Sequence, residues 1–168
     1  MEFEELVRAR YGALVRAAFL LTGSREGAED LVQDVLVRAG TRWPRITDRG
    51  YPEAYVRRML VTQSIDTWRK WHREVPAGEA TAYLLQSAAE PVAVPTRVAL
   101  AQALARLTPK QRAVLVLRYV EDLTEVATAE ALGVAVGTVK SQTRDALARL
   151  RVVAPELLAV EDGVKEES

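Results

Sequence analysis

The sequence predicts an all-α protein of two small helical domains joined by a flexible linker. Three observations carry this expectation. Apolar residues recur at helical spacing through almost the whole chain. No run alternates apolar and polar residues between turn signals, as a β-hairpin would require. The helical pattern breaks once, over residues 75–96, where Pro76, Pro91 and Pro95 fall among Ala, Glu, Ser and Thr. A chain of 168 residues has room for two such domains. The expected division is a first domain over 1–74, a linker over 75–96, a second domain over 97–151 and an acidic tail over 152–168.

In the first domain, Val7, Tyr11, Leu14, Ala18 and Leu21 line one face of a helix, which Thr22-Gly23-Ser24 stops. Ser24 is placed to cap the next helix. There Ala28, Leu31, Val32, Val35, Leu36 and Ala39 form an apolar stripe, and Glu29, Asp30, Gln33 and Asp34 lie opposite it. Trp43-Pro44 and Asp48-Arg49-Gly50 mark a loop, and Pro52 suits the first turn of a third helix. That helix gathers Leu60, Val61, Ser64, Ile65, Trp68 and Trp71 on one broad face. Thr62, Gln63, Asp66, Lys70 and Arg73 fall on the other.

The second domain is better punctuated. A helix from about residue 97 to 106 turns Val98, Ala101, Leu104 and Ala105 inward. Thr108-Pro109-Lys110-Gln111 supplies an N-cap, a first-turn proline and a capping-box partner for the next helix, which runs to about Tyr119. Thr124 caps a third helix ending at Leu132-Gly133, and a fourth runs from about Val136 to Leu150.

Composition excludes much chemistry. There is no cysteine and a single histidine, His72, so disulfides, thiolate metal sites, cysteine nucleophiles and imidazole clusters are ruled out. With no glycine-rich phosphate loop and no paired carboxylate motif, an enzyme is not expected, and neither are catalytic residues, a metal or a cofactor. No apolar run approaches the ~18 residues of a membrane span, and Met1-Glu2-Phe3-Glu4-Glu5 is unlike a signal peptide, so a cytoplasmic protein is expected. The zero net charge hides separated blocks. Residues 57–73 carry a net +4 and residues 131–151 a net +3, whereas residues 152–168 carry −4. Such blocks suit local contacts with a polyanion, although solvated helix faces produce them as well.

Three groups of residues point to function. Residues 124–151 have the spacing of a helix-turn-helix: Gly133 permits a left-handed turn, Ala129 is small where the helices meet, and Val134 and Val139 are expected to plug the shared core. The stripe Val139, Thr143, Ala146, Leu147 and Leu150 then leaves Thr138, Lys140, Ser141 and Arg144 facing outward, as donors for phosphates and base edges. Trp68-Arg69-Lys70-Trp71-His72-Arg73 interleaves aromatics with cations, a mixture suited to single-stranded nucleic acid, unless the tryptophans are core. The acidic face formed by Glu29, Asp30, Gln33 and Asp34 would repel DNA and suits a protein partner.

Taken together, residues 3–151 resemble a bacterial RNA polymerase sigma factor of the extracytoplasmic-function (ECF) type, in the sigma-70 family. Ala28-Glu29-Asp30-Leu31-Val32-Gln33-Asp34 is similar to the polymerase-clamp-binding segment of region two, and residues 52–70 to its promoter-opening helix. Leu107-Thr108-Pro109-Lys110-Gln111-Arg112, Leu123-Thr124-Glu125 and Val136-Gly137-Thr138-Val139-Lys140-Ser141 resemble region four. Thr62 departs from the asparagine common at its position, and Gln142 from an arginine. The resemblance implies a transcription initiation factor whose partners are the core polymerase (its β and β′ subunits), promoter DNA and, in some members, an anti-sigma protein. It assigns core binding to Glu29, Asp30, Gln33 and Asp34, and the −35 duplex to Thr138, Lys140, Ser141 and Arg144. The opened −10 strand falls to Thr62, Gln63, Asp66, Arg69, Lys70, Trp71 and Arg73. The rival expectation is a stand-alone helix-turn-helix regulator that binds duplex DNA without the polymerase.

Overall fold

The computed structural model describes residues 1–74 and 95–155, with the side chains of 71–74 and 95–96 excepted. These residues form helices and no strand. Helix α1 (Phe3–Thr22) opens on a capping box between Glu2 and Glu5 and stops at Gly23, whose φ of 80° lets its N–H reach the Phe19 carbonyl. The Ser24 hydroxyl accepts from the Gly27 N–H at 3.1 Å and starts α2 (Arg25–Thr41). The short α3 (Trp43–Thr47) comes next, and then α4 (Pro52–Glu74) begins on its proline. Helices α1, α2 and α4 pack mutually. Leu6, Leu14, Ala18 and Leu21 of α1 meet Leu31, Val32 and Val35 of α2 and Val56, Leu60 and Val61 of α4, all buried. Each such Val or Leu contributes ~1.5–3 kcal/mol relative to exposure.

Two local expectations for this half need correction. Tyr11 is 42% exposed and Leu6 takes the inward position, because the buried stripe of α1 runs through 6, 14, 17, 18, 20 and 21. Residues 43–47 form a helical turn instead of a loop: Pro44 needs no N–H partner in a first turn, Ile46 plugs the core, and the Trp43 ring meets Phe3 edge-on at 5.2 Å.

After the undescribed stretch come α5 (Pro95–Leu104) and α6 (Pro109–Leu115), a π-helical turn over Val116–Val120, α7 (Glu125–Leu132) and α8 (Val136–Val153). The Thr108 capping box is formed at 3.2 Å in both directions, and the Thr124 hydroxyl accepts from Ala127 N–H at 3.1 Å. The π turn departs from the regular helix expected as far as Tyr119. Residues 112–117 are buried without interruption, and the wider turn ends with the Glu121 N–H on the Val116 carbonyl. Asp122, at φ 53°, then reverses the chain, a conformation that Asp tolerates better than most residues.

The helices on either side of the undescribed stretch pack against each other. Helix α1 meets α5 and α6, and α4 meets α6 and α7. One contiguous set of buried side chains runs from Leu6 and Leu60 through Leu104 and Leu117 to Ala146 and Leu150. Among the described residues no helix is long and apolar enough to cross a membrane.

Candidate nucleic-acid interface

Helices α7 and α8 meet through Ala129 and Val139, which pack with Val114 in a small core of their own. Gly133 joins them at φ 66° and ψ 36°. A Cβ there would meet only the tip of Arg58, at 3.8 Å, so the cost of a side chain is conformational. Gly133→Ala is accordingly expected to lower stability by about 1 kcal/mol, read as a shifted urea midpoint with unchanged slope. Val134 does not plug this core. It is 38% exposed, because its backbone N–H turns back to the Ala129 carbonyl and carries the side chain outward.

Val139, Ala146 and Leu150 are buried and anchor α8, which leaves Thr138, Lys140 and Arg144 exposed along its N-terminal half. Ser141 is half-buried and donates to the Thr138 carbonyl at 3.0 Å. The cations are only lightly engaged. Lys140 Nζ lies 3.8 Å from Glu125, and Arg144 Nε 3.3 Å from Asp145. Exposed pairs of this kind contribute about 0–1 kcal/mol and are readily exchanged for a phosphate. Ala135 occupies the N-cap with no side-chain cap, so the first N–H groups of α8 remain available. Thr138, Lys140, Ser141 and Arg144 therefore share one end of one helix, with donors clustered on it.

On α4, Thr62 donates its hydroxyl to the Arg58 carbonyl at 2.8 Å, and Gln63 donates to the Asp34 carboxylate at 3.3 Å. Asp66, Arg69 and Lys70 are exposed, and Trp68 is half-buried. The backbone of Trp71 and Arg73 continues α4, but their side chains lie outside the described residues, as do residues 75–94 of the expected linker and most of the acidic tail. Trp68 and Arg69 line a cleft whose other wall is Thr108, Pro109, Lys110 and Gln142. On α2, Asp30, Gln33 and Asp34 are exposed, opposite the buried Leu31 and Val35, while Glu29 is half-buried and paired with Arg25 at 3.0 Å. Asp30 and Asp34 line a groove with Gln63, Ser64, Thr67 and Trp68 of α4 and with Arg112.

Two features went unread in the sequence. Tyr51 is exposed beside the start of α4, with Arg49 over the Tyr55 ring at 5.9 Å, a second aromatic and cationic group. Tyr51-Pro52 next to Arg49 was its only signal. Arg112 is buried, and its guanidinium donates to the carbonyls of Leu21 at 2.5 Å, Leu104 at 2.9 Å and Leu107 at 3.4 Å. Burial lowers its pKa to about 10, so it remains charged at neutral pH.

Residues 6–74 match the family model for Sigma-70 region 2, and residues 97–150 match that for Sigma-70, region 4. The chain is 41% identical over 152 residues to an RNA polymerase sigma-E factor of Streptomyces coelicolor, a match spanning 90% of this chain and 85% of that one. It is 34% identical over 160 residues to the ECF RNA polymerase sigma factor SigL of Mycobacterium tuberculosis, covering 90% of each. In fold it is similar to the sigma factor RpoE of Bartonella quintana, solved in complex with the anti-sigma factor NepR. That match has a TM-score of 0.70 at 24% identity and covers 94% of this chain and 97% of that one. CnrH, solved with the cytosolic domain of CnrY, matches with a TM-score of 0.64 at 22% identity over 92% and 88% of the two chains. Both sigma-70 regions are present here in their usual order, and full-length relatives align over nine-tenths of the sequence: the chain belongs to the ECF group of the sigma-70 family of RNA polymerase sigma factors.

Proposed function

We propose that this sigma factor directs the core polymerase to promoters by reading the −35 element as duplex and opening the −10 element. The observation that carries the reading is the outward donor row of α8, held by a buried stripe in a helix-turn-helix. Thr138, Lys140, Ser141 and Arg144 meet the −35 major groove, and the uncapped first turn of α8 suits a phosphate. The outer face of α4, with Thr62, Gln63, Asp66, Arg69, Lys70, Trp71 and Arg73, takes the unpaired −10 strand. Arg49, Tyr51 and Tyr55 add a stacking surface at the other end of the same helix. The core enzyme, through its β and β′ subunits, docks on Glu29, Asp30, Gln33 and Asp34. An anti-sigma protein is a further partner suggested by the RpoE–NepR complex. None of these roles requires a cofactor or a catalytic group of the chain's own.

The test is transcription by core polymerase reconstituted with this chain on genomic DNA, with transcript 5′ ends sequenced. A shared pair of upstream elements is expected. A chain that fails to co-elute with the core polymerase would leave the stand-alone regulator in its place. Lys140→Ala and Arg144→Ala are expected to weaken promoter binding by the holoenzyme in distinguishable ways. A phosphate contact lowers the salt slope by about one on every sequence, whereas a base contact costs ~1–3 kcal/mol and relaxes preference at a single position. If neither variant alters binding at any salt concentration, α8 does not read the DNA.

A further inference from the structure

Helix α4, the start of α6 and α8 line an open cleft of about 400 Å³. That volume falls within the ~300–1,000 Å³ of small-molecule sites. Its walls are fixed to each other: α4 packs on α6, and Arg57 of α4 donates to the Glu121 carboxylate, just past the π turn, at 2.8 Å. Ile65, Trp68 and Pro109, all half-buried, make the apolar lining. The charged lining has one sign. Arg69 comes from α4 and Lys110 from α6, both exposed, and among the described residues no carboxylate lines the cleft. Neither cation is well matched. Arg69 stands 4.0 Å from Asp66, and Lys110 has no ion pair among the described residues. Gln142 of α8 is half-buried, and its amide has no hydrogen-bond partner among those residues.

We propose that this cleft binds an adenine nucleotide carrying two or more phosphates. The Trp68 indole offers the base a stacking surface, which by itself suits any base. Gln142 supplies the discrimination. A primary amide pairs at once with the N6 donor and N7 acceptor of adenine, whereas guanine presents two acceptors on the same edge. Arg69 and Lys110 then answer the phosphates, the first as a planar fork and the second as a point charge. Two cations on the lining call for at least two phosphates, because a monophosphate leaves one of them without a counter-charge. An acidic peptide would answer the cations too, but it would leave the indole and the amide unused. A bound nucleotide covers Arg69, one of the residues proposed above for the −10 strand; the nucleotide site does not rest on that reading.

Isothermal titration calorimetry of the full chain with ATP tests the site, at about 0.15 M salt, where diffuse attraction is screened. One ATP per chain is expected, with a Kd below about 1 mM. ADP binds comparably. AMP, inorganic triphosphate and GTP each bind at least about tenfold more weakly, the first for want of charge and the others for want of adenine. Lys110→Ala is expected to weaken ATP about tenfold and to narrow the gap between ATP and AMP. Gln142→Arg brings GTP level with ATP or above it, because a guanidinium reads the guanine edge. Trp68→Leu weakens ATP at least about tenfold. Circular dichroism checks each variant, and if Trp68→Leu unfolds, the other two still decide. Lys140→Ala, on the donor row of α8, leaves ATP binding unchanged. No binding at about 5 mM ATP overturns the proposal. So does inorganic triphosphate or GTP bound as tightly as ATP by the parent chain, or a loss on Lys140→Ala equal to that on Lys110→Ala, since each of these describes a diffuse basic surface.

Discussion

A chain carrying Asp30→Lys and Asp34→Lys is expected to lose core-polymerase binding altogether while keeping its helical content. Both side chains are exposed on the side of α2 away from Leu31 and Val35, and neither takes part in an ion pair among the described residues. Reversal therefore costs the fold little beyond the hydrogen bond that Gln63 donates to Asp34. Against a cationic docking surface it replaces two attractions with two repulsions, and like-charge juxtaposition costs several kcal/mol. Asp30→Ala with Asp34→Ala removes only the attraction and is expected to weaken binding without abolishing it. Co-elution of the chain with core polymerase reads both results, and far-UV circular dichroism supplies the control. Undiminished co-elution of the lysine variant would move the docking surface off α2. Glu29, tied to Arg25, is expected to matter less than its neighbours.

What the sequence made legible was local. Ser24, Thr108 and Thr124 bond as caps because capping involves residues three apart. The stripe of α2 is buried at 28, 31, 32, 35 and 39 because one helix face decides it. The donor row of α8 could be read for the same reason: the anchoring valine, alanine and leucine and the outward cations share one helix. Periodicity cannot see what depends on distant partners. Arg112 reads as a surface cation in a capping-box helix, yet its partner Leu21 is 91 positions away. Arg57 and Glu121 are 64 apart and read as ordinary solvated charges. Turn geometry was the other blind spot. The exposure of Val134 follows from the hydrogen bond after Gly133, and the Arg49–Tyr55 contact reaches across Gly50 at φ 85°. Neither leaves a period in the sequence.

Arg112→Ala is expected to destabilise the chain by about 3 kcal/mol or more and to split its unfolding into two transitions. Removing the guanidinium strips a donor from three carbonyls, of which Leu104 keeps the Leu107 N–H, and each buried acceptor left unsatisfied costs about 1–3 kcal/mol, reduced wherever water enters. The loss falls on both halves, because Leu21 lies in the last turn of α1 while Leu104 ends α5 and Leu107 follows it. With one side chain serving both beside the shared apolar core, the halves unfold together; without it that coupling weakens and each half moves toward its own stability. Arg112→Lys keeps the charge but not the planar fork that reaches three acceptors at once, so it is expected to recover only part of the loss. The substitution lies away from the donor row of α8, but Arg112 lines the groove that Asp30 and Asp34 border, so co-elution with core polymerase is measured alongside to separate stability from binding. Urea titration followed by both far-UV circular dichroism and tryptophan fluorescence makes the measurement. The three tryptophans, Trp43, Trp68 and Trp71, all belong to the first half, with Trp68 also facing the cleft to the second, whereas the circular dichroism reports on all helices. The expected outcome is coincident curves for the parent chain and separated curves for Arg112→Ala. Coincident curves in the variant, at an unshifted midpoint, would mean that the buried cation holds nothing together.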